Sequence, residues 1–418
     1  MHPIAVGVVV AMSVLLMLTR PRGIAEAWWI AGGTGVLLVA RLIAFRPALH
    51  AIAKGADVYA FLAGMMLLSE LAREHGVFDW LSSKAVGWAR GSSSRLFATV
   101  YGIGIIVTTF LSNDATAVVL TPAILAAVRK AKIDPLPHLF VCALVANAAS
   151  FVLPISNPAN LVLFDGSMPS LGRWLAWFLV PSVLSILVTY VALRLLFRRT
   201  LASSFASEAA AKLLAKSGRY VLMGLGLVTA ALLAASYAHV ALGLPTLGAA
   251  LLVVAGTSIA TRHNPLRLVR NVSWSTLVLV AGLFVMVEAA EEVGATTLFA
   301  RGLAWAASHG AAGSIVAAFA VGTLNNVVNN LPLGLLTGAT LTHAHPPLLL
   351  TRALLIGIDL GPNLAVTGSL ATLLWLIALR KEKIEVRFID FLRVGAVVMP
   401  LALLAALLGS IATSFIVD

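Results

Sequence analysis

Phe110-Leu111-Ser112-Asn113-Asp114-Ala115-Thr116-Ala117 interrupts an otherwise apolar run over residues 96–128. Four of its side chains are polar and one is an acid. Hydrocarbon offers no water to satisfy a carboxylate, an amide or a hydroxyl. At membrane depth such a cluster persists only if it lines a polar cavity or is buried against other protein. A second interruption, Asn325-Asn326-Val327-Val328-Asn329-Asn330, sits inside the run 314–341. The two stretches read as the tips of two hairpins that meet at one site.

The rest of the chain supports the membrane setting. Of 418 residues, 60% are hydrophobic and 11% charged, whereas a soluble domain carries roughly a quarter charged. Long apolar stretches follow one another, which predicts an all-α polytopic membrane protein. A spanning barrel would need alternating apolar and polar residues instead. The first apolar run, 4–18, lacks a basic N-terminal region before it and a small-residue cleavage site, so it reads as a retained helix. Cys142 is the single cysteine, which excludes a disulfide framework and a multi-cysteine metal site. The net charge of +12 does not point to nucleic acid. The basic residues fall in short loops between spans, where orientation in the bilayer explains them.

Ten spans are legible: 4–18, 28–43, 58–71, 138–163 and 174–196, then 220–235, 246–260, 276–290, 348–379 and 394–416. Between the two sets lies a polar connector, 199–219, with Arg199, Lys212, Lys216 and Arg219, and Arg198 just before it. The hairpins 96–128 and 314–341 are left over, one per half. Glu70-x-Ala72-x-Glu74-x-Gly76 recurs as Glu288-x-Ala290-x-Glu292-x-Gly294. Each copy is followed by an amphipathic stretch (79–90; 297–308), a hairpin and a broken span. Five spans per unit is odd, so units 1–198 and 220–418 are expected to be inverted relative to one another. That is the plan of secondary transporters, with the site near mid-membrane between the repeats.

Basic residues agree with it. With the connector in the cytoplasm and both hairpins re-entrant, only Arg41, Arg46, Lys54, Arg173, Arg301 and Arg352 of the 29 Lys and Arg lie off the cytoplasmic side. If 96–128 crossed fully, Arg129, Lys130 and Lys132 would fall outside, against the charge bias. Both termini are then expected to face the exterior, in a multi-pass protein of the cytoplasmic membrane.

Two later breaks carry further polar groups. Pro154-Ile155-Ser156-Asn157-Pro158-Ala159-Asn160 interrupts 138–163, and Asp359-Leu360-Gly361-Pro362-Asn363 interrupts 348–379. A proline removes one N–H and frees a carbonyl a turn back, so a broken span offers backbone ligands. Ser112, Asn113 or Asp114 is expected to cap the arm that follows it. A helix start at mid-depth also presents free N–H groups to hydroxyl or anionic ligands. Asp114 and Asp359 are the acids best placed to carry a proton. Glu70 and Glu288 fit an interfacial ion pair as well as a site role. Thr367, Ser369 and Thr372 read as back-bonded hydroxyls, His138, His343 and His345 as surface residues, and Cys142 as inert packing.

Three blocks carry a family resemblance: Phe110 to Pro122 (FLSNDATAVVLTP), Asn147 to Leu161 (NAASFVLPISNPANL) and Gly357 to Thr372 (GIDLGPNLAVTGSLAT). Together they resemble the ArsB-type arsenite/antimonite efflux permeases of the ion transporter superfamily, and the resemblance covers nearly the whole chain. It implies export of trivalent arsenic and antimony hydroxides, driven by proton entry. Some members also work with a soluble arsenite-stimulated ATPase. Sodium-coupled relatives hold sodium and substrate at the hairpin tips and helix breaks. By position, Ser112, Asn113, Asn157, Asn326, Asn329 and Asn363 would line the corresponding site here, with Ser156 beside Asn157.

The residues suit that cargo. Arsenite at neutral pH is mainly As(OH)₃, whose hydroxyls match amides, hydroxyls and open backbone. Neither break holds the Arg or Lys expected for a dicarboxylate. One cysteine cannot form a three-thiolate trap, so the metalloid would be held through oxygen and nitrogen. Sodium-coupled antiport uses the same tip motif and stays open. A passive channel needs no titrating acid, and an intramembrane enzyme needs a nucleophile–base pair or a His-Glu-x-x-His site that is lacking.

Overall fold

The computed structural model describes residues 3–164, 168–205, 213–262 and 264–417. Lys212 of the connector lies outside the described residues. Among these residues there are helices and no strand, with one isolated bridge between Ser92 and Ser204. Six helices are long and apolar enough to cross a membrane, and two further helix pairs qualify if each bent pair is taken as one span.

The same order of elements runs twice along the chain. First come Pro3–Thr19, Glu26–Val39, Phe45–Lys54, Ala56–Glu74 and Val77–Ala89, then a hairpin of Ser93–Phe110 and Thr121–Lys130. A broken pair, Leu136–Ala148 and Pro158–Phe164, and the long Leu171–Leu196 helix follow. After the connector come Lys216–Tyr237, Gly243–Thr261, Pro265–Asn271, Ser275–Glu292 and Ala295–Ser308. The hairpin Gly310–Val328 with Asn330–Ala344, the broken pair Leu348–Leu360 and Leu370–Lys381, and Phe388–Val417 complete the order.

The recurring Glu-x-Ala-x-Glu-x-Gly motif has a local reason. Gly76 (φ 70) and Gly294 (φ 89) both take the left-handed conformation that glycine adopts without strain. Each ends one helix and starts the amphipathic one after it. Two expectations need correction. Residues 28–43 are helical only over Glu26–Val39, because the chain turns at Ala40 and Arg41 (φ 54). The helices Phe45–Lys54 and Pro265–Asn271 read as loops in the sequence. They are bent by 48° and 45° from the helices that follow. Arg46, His50 and Lys54 sit on one face at helical spacing, and Ala48 and Ala51 are buried on the other.

The two stretches interlock. Leu171–Leu196 packs along Phe388–Val417, and Ala56–Glu74 along Gly243–Thr261. Buried indoles anchor the broken helices: Trp375 Nε1 donates to the Leu139 carbonyl (3.0 Å) and Trp174 Nε1 to that of Phe151 (3.1 Å). At one end of the molecule the Phe205 amide donates to the Gly91 carbonyl at 2.8 Å, and Arg129 pairs with Glu382 at 2.6 Å. The loops 90–95, 129–132 and 198–205 and the segment 380–387 therefore share one face, here termed the connector face. At the opposite end Lys54 pairs with Glu288 at 3.1 Å, and the Gly243 amide donates to Asp57 at 2.7 Å. The Ala56–Glu74 helix separates the two ends.

Candidate functional site

The first hairpin turns where its sequence changes from apolar to polar. Ser93–Phe110 ends, Ser112 runs extended, and its Oγ accepts from the Ala115 amide at 3.2 Å. The chain then re-enters helix at Asn113, with one wide turn over Thr116–Leu120 before Thr121–Lys130. The Thr108 and Thr116 hydroxyls join the arms at 2.8 Å, and both arms pack on Val77–Ala89. In the second hairpin Asn329 (φ 81) makes the turn, and its Oδ1 accepts from the Leu331 amide at 3.3 Å. Asparagine tolerates positive φ better than most residues, and its amide caps the next helix.

Both broken spans resume helix behind a polar residue. Asn157 Oδ1 accepts from the Ala159 amide at 3.1 Å, and Ser369 Oγ accepts from the Thr372 amide at 3.2 Å. Residues from all four helix restarts come together at one place. Asn113 and Asp114, Asn157, Asn330, and Ser369 line one niche of about 10 Å³, closed by Leu62 and Thr276. Asn113 is 2% exposed, and its Oδ1 has no partner among the described residues. The niche adjoins a cavity of about 400 Å³ whose lining also includes Asp114 and Thr276. Met65, Met66, Ser69, Ser112 and Asn271 line this cavity, which reaches the Glu70–Arg73 ion pair toward the connector face. Asp114 is half-buried, and no described residue forms a hydrogen bond or ion pair with its carboxylate.

The other sequence-derived candidates divide into two sets. Asp359 is fully buried behind the niche, and Asn157 Nδ2 donates to its Oδ1 at 2.8 Å. Asn157 therefore touches both the niche and the second acid. Ser156 does not line the niche; its Oγ donates to the Thr109 carbonyl at 3.1 Å. Asn363 is used within the protein, accepting from Asn147 Nδ2 (2.9 Å) and donating to the Leu144 carbonyl (3.0 Å). Asn326 holds the second break together. Its Nδ2 donates to the Gly361 carbonyl at 3.1 Å and its Oδ1 accepts from the Ala365 amide at 2.9 Å. Asn329 caps its own arm, as above. The structure does not bring Asn326, Asn329 or Asn363 to the niche wall.

Asn330 and Ser369 were missed as niche residues. Asn330 belonged to the quoted asparagine cluster. Ser369 carried a capping signal in Ser369-x-x-Thr372, a reciprocal pair in the structure. Of the hydroxyls read as back-bonded, Thr372 does donate to the Ser369 carbonyl at 2.9 Å, whereas Thr367 donates to the Asn326 carbonyl at 2.7 Å. His138 is not a surface residue: it is fully buried beside Phe97 and meets the backbone of Ser93. His343 and His345 are exposed. Glu70 and Glu288 are both ion-paired, with Arg73 and Lys54. Cys142 is fully buried.

Comparison with known proteins gives relatives along the whole length. The arsenical pump membrane protein of Escherichia coli (strain K12) is 26% identical over 436 residues, covering 97% of each chain. The protein of that name from Yersinia enterocolitica is 25% identical over 424 residues, again covering 97% of each. An uncharacterized transporter from Synechocystis sp. is 26% identical over 407 residues, covering 90% of each. Among solved structures, the YdaH transporter of Alcanivorax borkumensis has the same fold, with TM-score 0.59 and 16% identity over 89% of this chain and 88% of that one. The CitMHS family model, described as "Citrate transporter", matches residues 2–379. The chain is therefore a polytopic helical transporter that belongs to the CitMHS family of ion transporters.

Proposed function

We propose that this protein exports trivalent arsenic and antimony hydroxides from the cytoplasm in exchange for protons, by alternating access. One observation carries the reading. The polar lining of the niche where four helix restarts meet consists of three neutral amides (Asn113, Asn157, Asn330), two hydroxyls (Thr276, Ser369) and one acid (Asp114), with apolar side chains between them and no Arg or Lys. Citrate, the substrate in the family model's description, would need guanidinium or ammonium partners for its carboxylates. A neutral pyramidal hydroxide needs hydrogen-bond donors and acceptors, which Asn113, Asn157, Asn330 and Ser369 supply. At about 10 Å³ the niche accepts one water-sized group. One hydroxyl arm would enter it while the rest of the molecule stays in the 400 Å³ cavity. The names of the relatives from Escherichia coli and Yersinia enterocolitica point to the same cargo.

Proton coupling is assigned to Asp114, which lines both spaces, and to Asp359, one hydrogen bond further in through Asn157. Residues 1–198 and 220–418 act as inverted repeats about the niche, with the connector 199–219 in the cytoplasm of a bacterial inner membrane. The cavity, reaching the connector face, is then the cytoplasmic entrance. The test is arsenite uptake into everted vesicles without sodium, with a respiration-driven proton gradient and ATP supplied separately. Uptake driven by the gradient alone supports the proposal. A sodium requirement would replace protons by sodium, and a strict ATP requirement would point to a soluble arsenite-stimulated ATPase partner. Citrate movement without arsenite movement would refute the substrate assignment.

A further inference from the structure

A second concave site, which shares no lining residue with the niche, lies between the C-terminal end of Leu171–Leu196 and the N-terminal half of Phe388–Val417. It encloses about 550 Å³. Ala192, Leu195 and Leu196 form one wall, Val397 and Leu401 the other, and Arg198 and Arg199 close its polar end. The walls are apolar and open: Leu195 is 60% exposed and Leu401 51%. Their spacing of three and four residues puts each wall on a single helical face. Arg393, also exposed, stands one turn before Val397 on the facing helix.

The nearby arginines are not equivalent. Arg194 donates to the Tyr190 hydroxyl at 3.1 Å, and Arg387 makes two hydrogen bonds to Asp390 at 2.8 and 3.0 Å. Arg198 and Arg199 are exposed, and among the described residues neither guanidinium has an acidic partner. Two cations without an acidic partner among the described residues therefore cap a groove with exposed apolar walls.

We propose that this groove is a binding site for one anionic phospholipid. An acyl chain lies along Leu195, Leu196, Val397 and Leu401, and the phosphate sits between Arg198 and Arg199. Guanidinium forks match phosphate oxygens, and basic pockets between spanning helices at the membrane border select anionic headgroups. A free phosphate ion would leave the apolar walls uncovered, and a zwitterionic lipid would bring a choline or ethanolamine cation up to the arginines. The site does not depend on which cargo the niche carries. It adjoins the segment stitched to the first hairpin, where the Ser93 amide donates to the Ser203 carbonyl at 3.2 Å.

Native mass spectrometry of the full-length protein in neutral detergent, titrated with phosphatidylglycerol or phosphatidylcholine, tests the assignment. The expected result is one retained phosphatidylglycerol and no comparable phosphatidylcholine adduct. The double variant Arg198→Gln/Arg199→Gln should bind phosphatidylglycerol about tenfold more weakly. Leu401→Trp, which fills the groove without changing charge, should also lower retention. Arg262→Gln/Arg267→Gln, an equal charge change on the same face, should leave it unaltered. Equal loss in the control variant would reduce the effect to bulk charge and overturn the site. So would equal retention of phosphatidylcholine, or displacement of the lipid by inorganic phosphate.

Discussion

Asp114 and Asp359 have the same chemistry and opposite surroundings. Asp114 faces the cavity and the niche without a partner among the described residues, while Asp359 is sealed in and hydrogen-bonded by Asn157. An acid that must load and unload a proton has to be reachable by water or cargo; Asp114 is so placed directly, and Asp359 only through Asn157, which lines the niche. Asp114→Asn keeps the shape and removes the charge. It should reduce gradient-driven arsenite uptake in everted vesicles to background while membrane insertion and thermal stability in detergent stay unchanged. Loss of the folded protein instead would make Asp114 a structural acid. Asn157→Ala acts differently, because it takes the Asn157 amide donor away from a buried carboxyl group. It should lower stability by about 1–3 kcal/mol, read as a fall in melting temperature, and combining it with Asp359→Leu should recover part of that loss.

At the level of elements, the breaks matter more than the helices. Gly322 and Gly361 bring the second hairpin and the second broken span into backbone contact, and a Cβ at Gly361 would fall on the Gly322 carbonyl oxygen. Gly361→Ala should therefore destabilise the protein by about 1–3 kcal/mol and lower its yield in membranes. Gly302→Ala, with open space around the added methyl, should have no such effect. Where the chain breaks was legible in the sequence, because proline, glycine and asparagine change the backbone locally. Which asparagine serves the niche was not. Asn325, Asn326 and Asn330 lie within six residues, yet Asn325 and Asn326 donate to the carbonyls of Gly357 and Gly361 while Asn330 lines the niche. A side chain's partner depends on where unpaired carbonyls of a distant segment arrive, and that is set by packing between elements. The burial of His138 was hidden for the same reason, since Ser93 and Phe97, which meet it, lie far from it in the chain.

For the whole molecule, the decisive question is whether the two hairpins enter from opposite sides. Thr121–Lys130 carries Arg129 in its last turn, where it pairs with Glu382 on the connector face. Asn330–Ala344 ends beside Glu291, with His343 Nδ1 at 3.9 Å, at the far end of the Ser275–Glu292 helix from the cavity residue Ser273. Lys132 and His345, just beyond the two arms, are both exposed and both left-handed (φ 54 and 39). They occupy matching positions after their hairpins. Inverted repeats must then display them to opposite compartments, whereas parallel repeats would display them to the same one. Cys142 is the sole thiol and is fully buried, so Cys142→Ala should give a transport-competent background. In that background Lys132→Cys should react with a membrane-impermeant maleimide in everted vesicles and not in intact cells. His345→Cys should show the reverse. Labelling of both from one side would rule out inversion, and with it a niche assembled from two oppositely oriented hairpin tips.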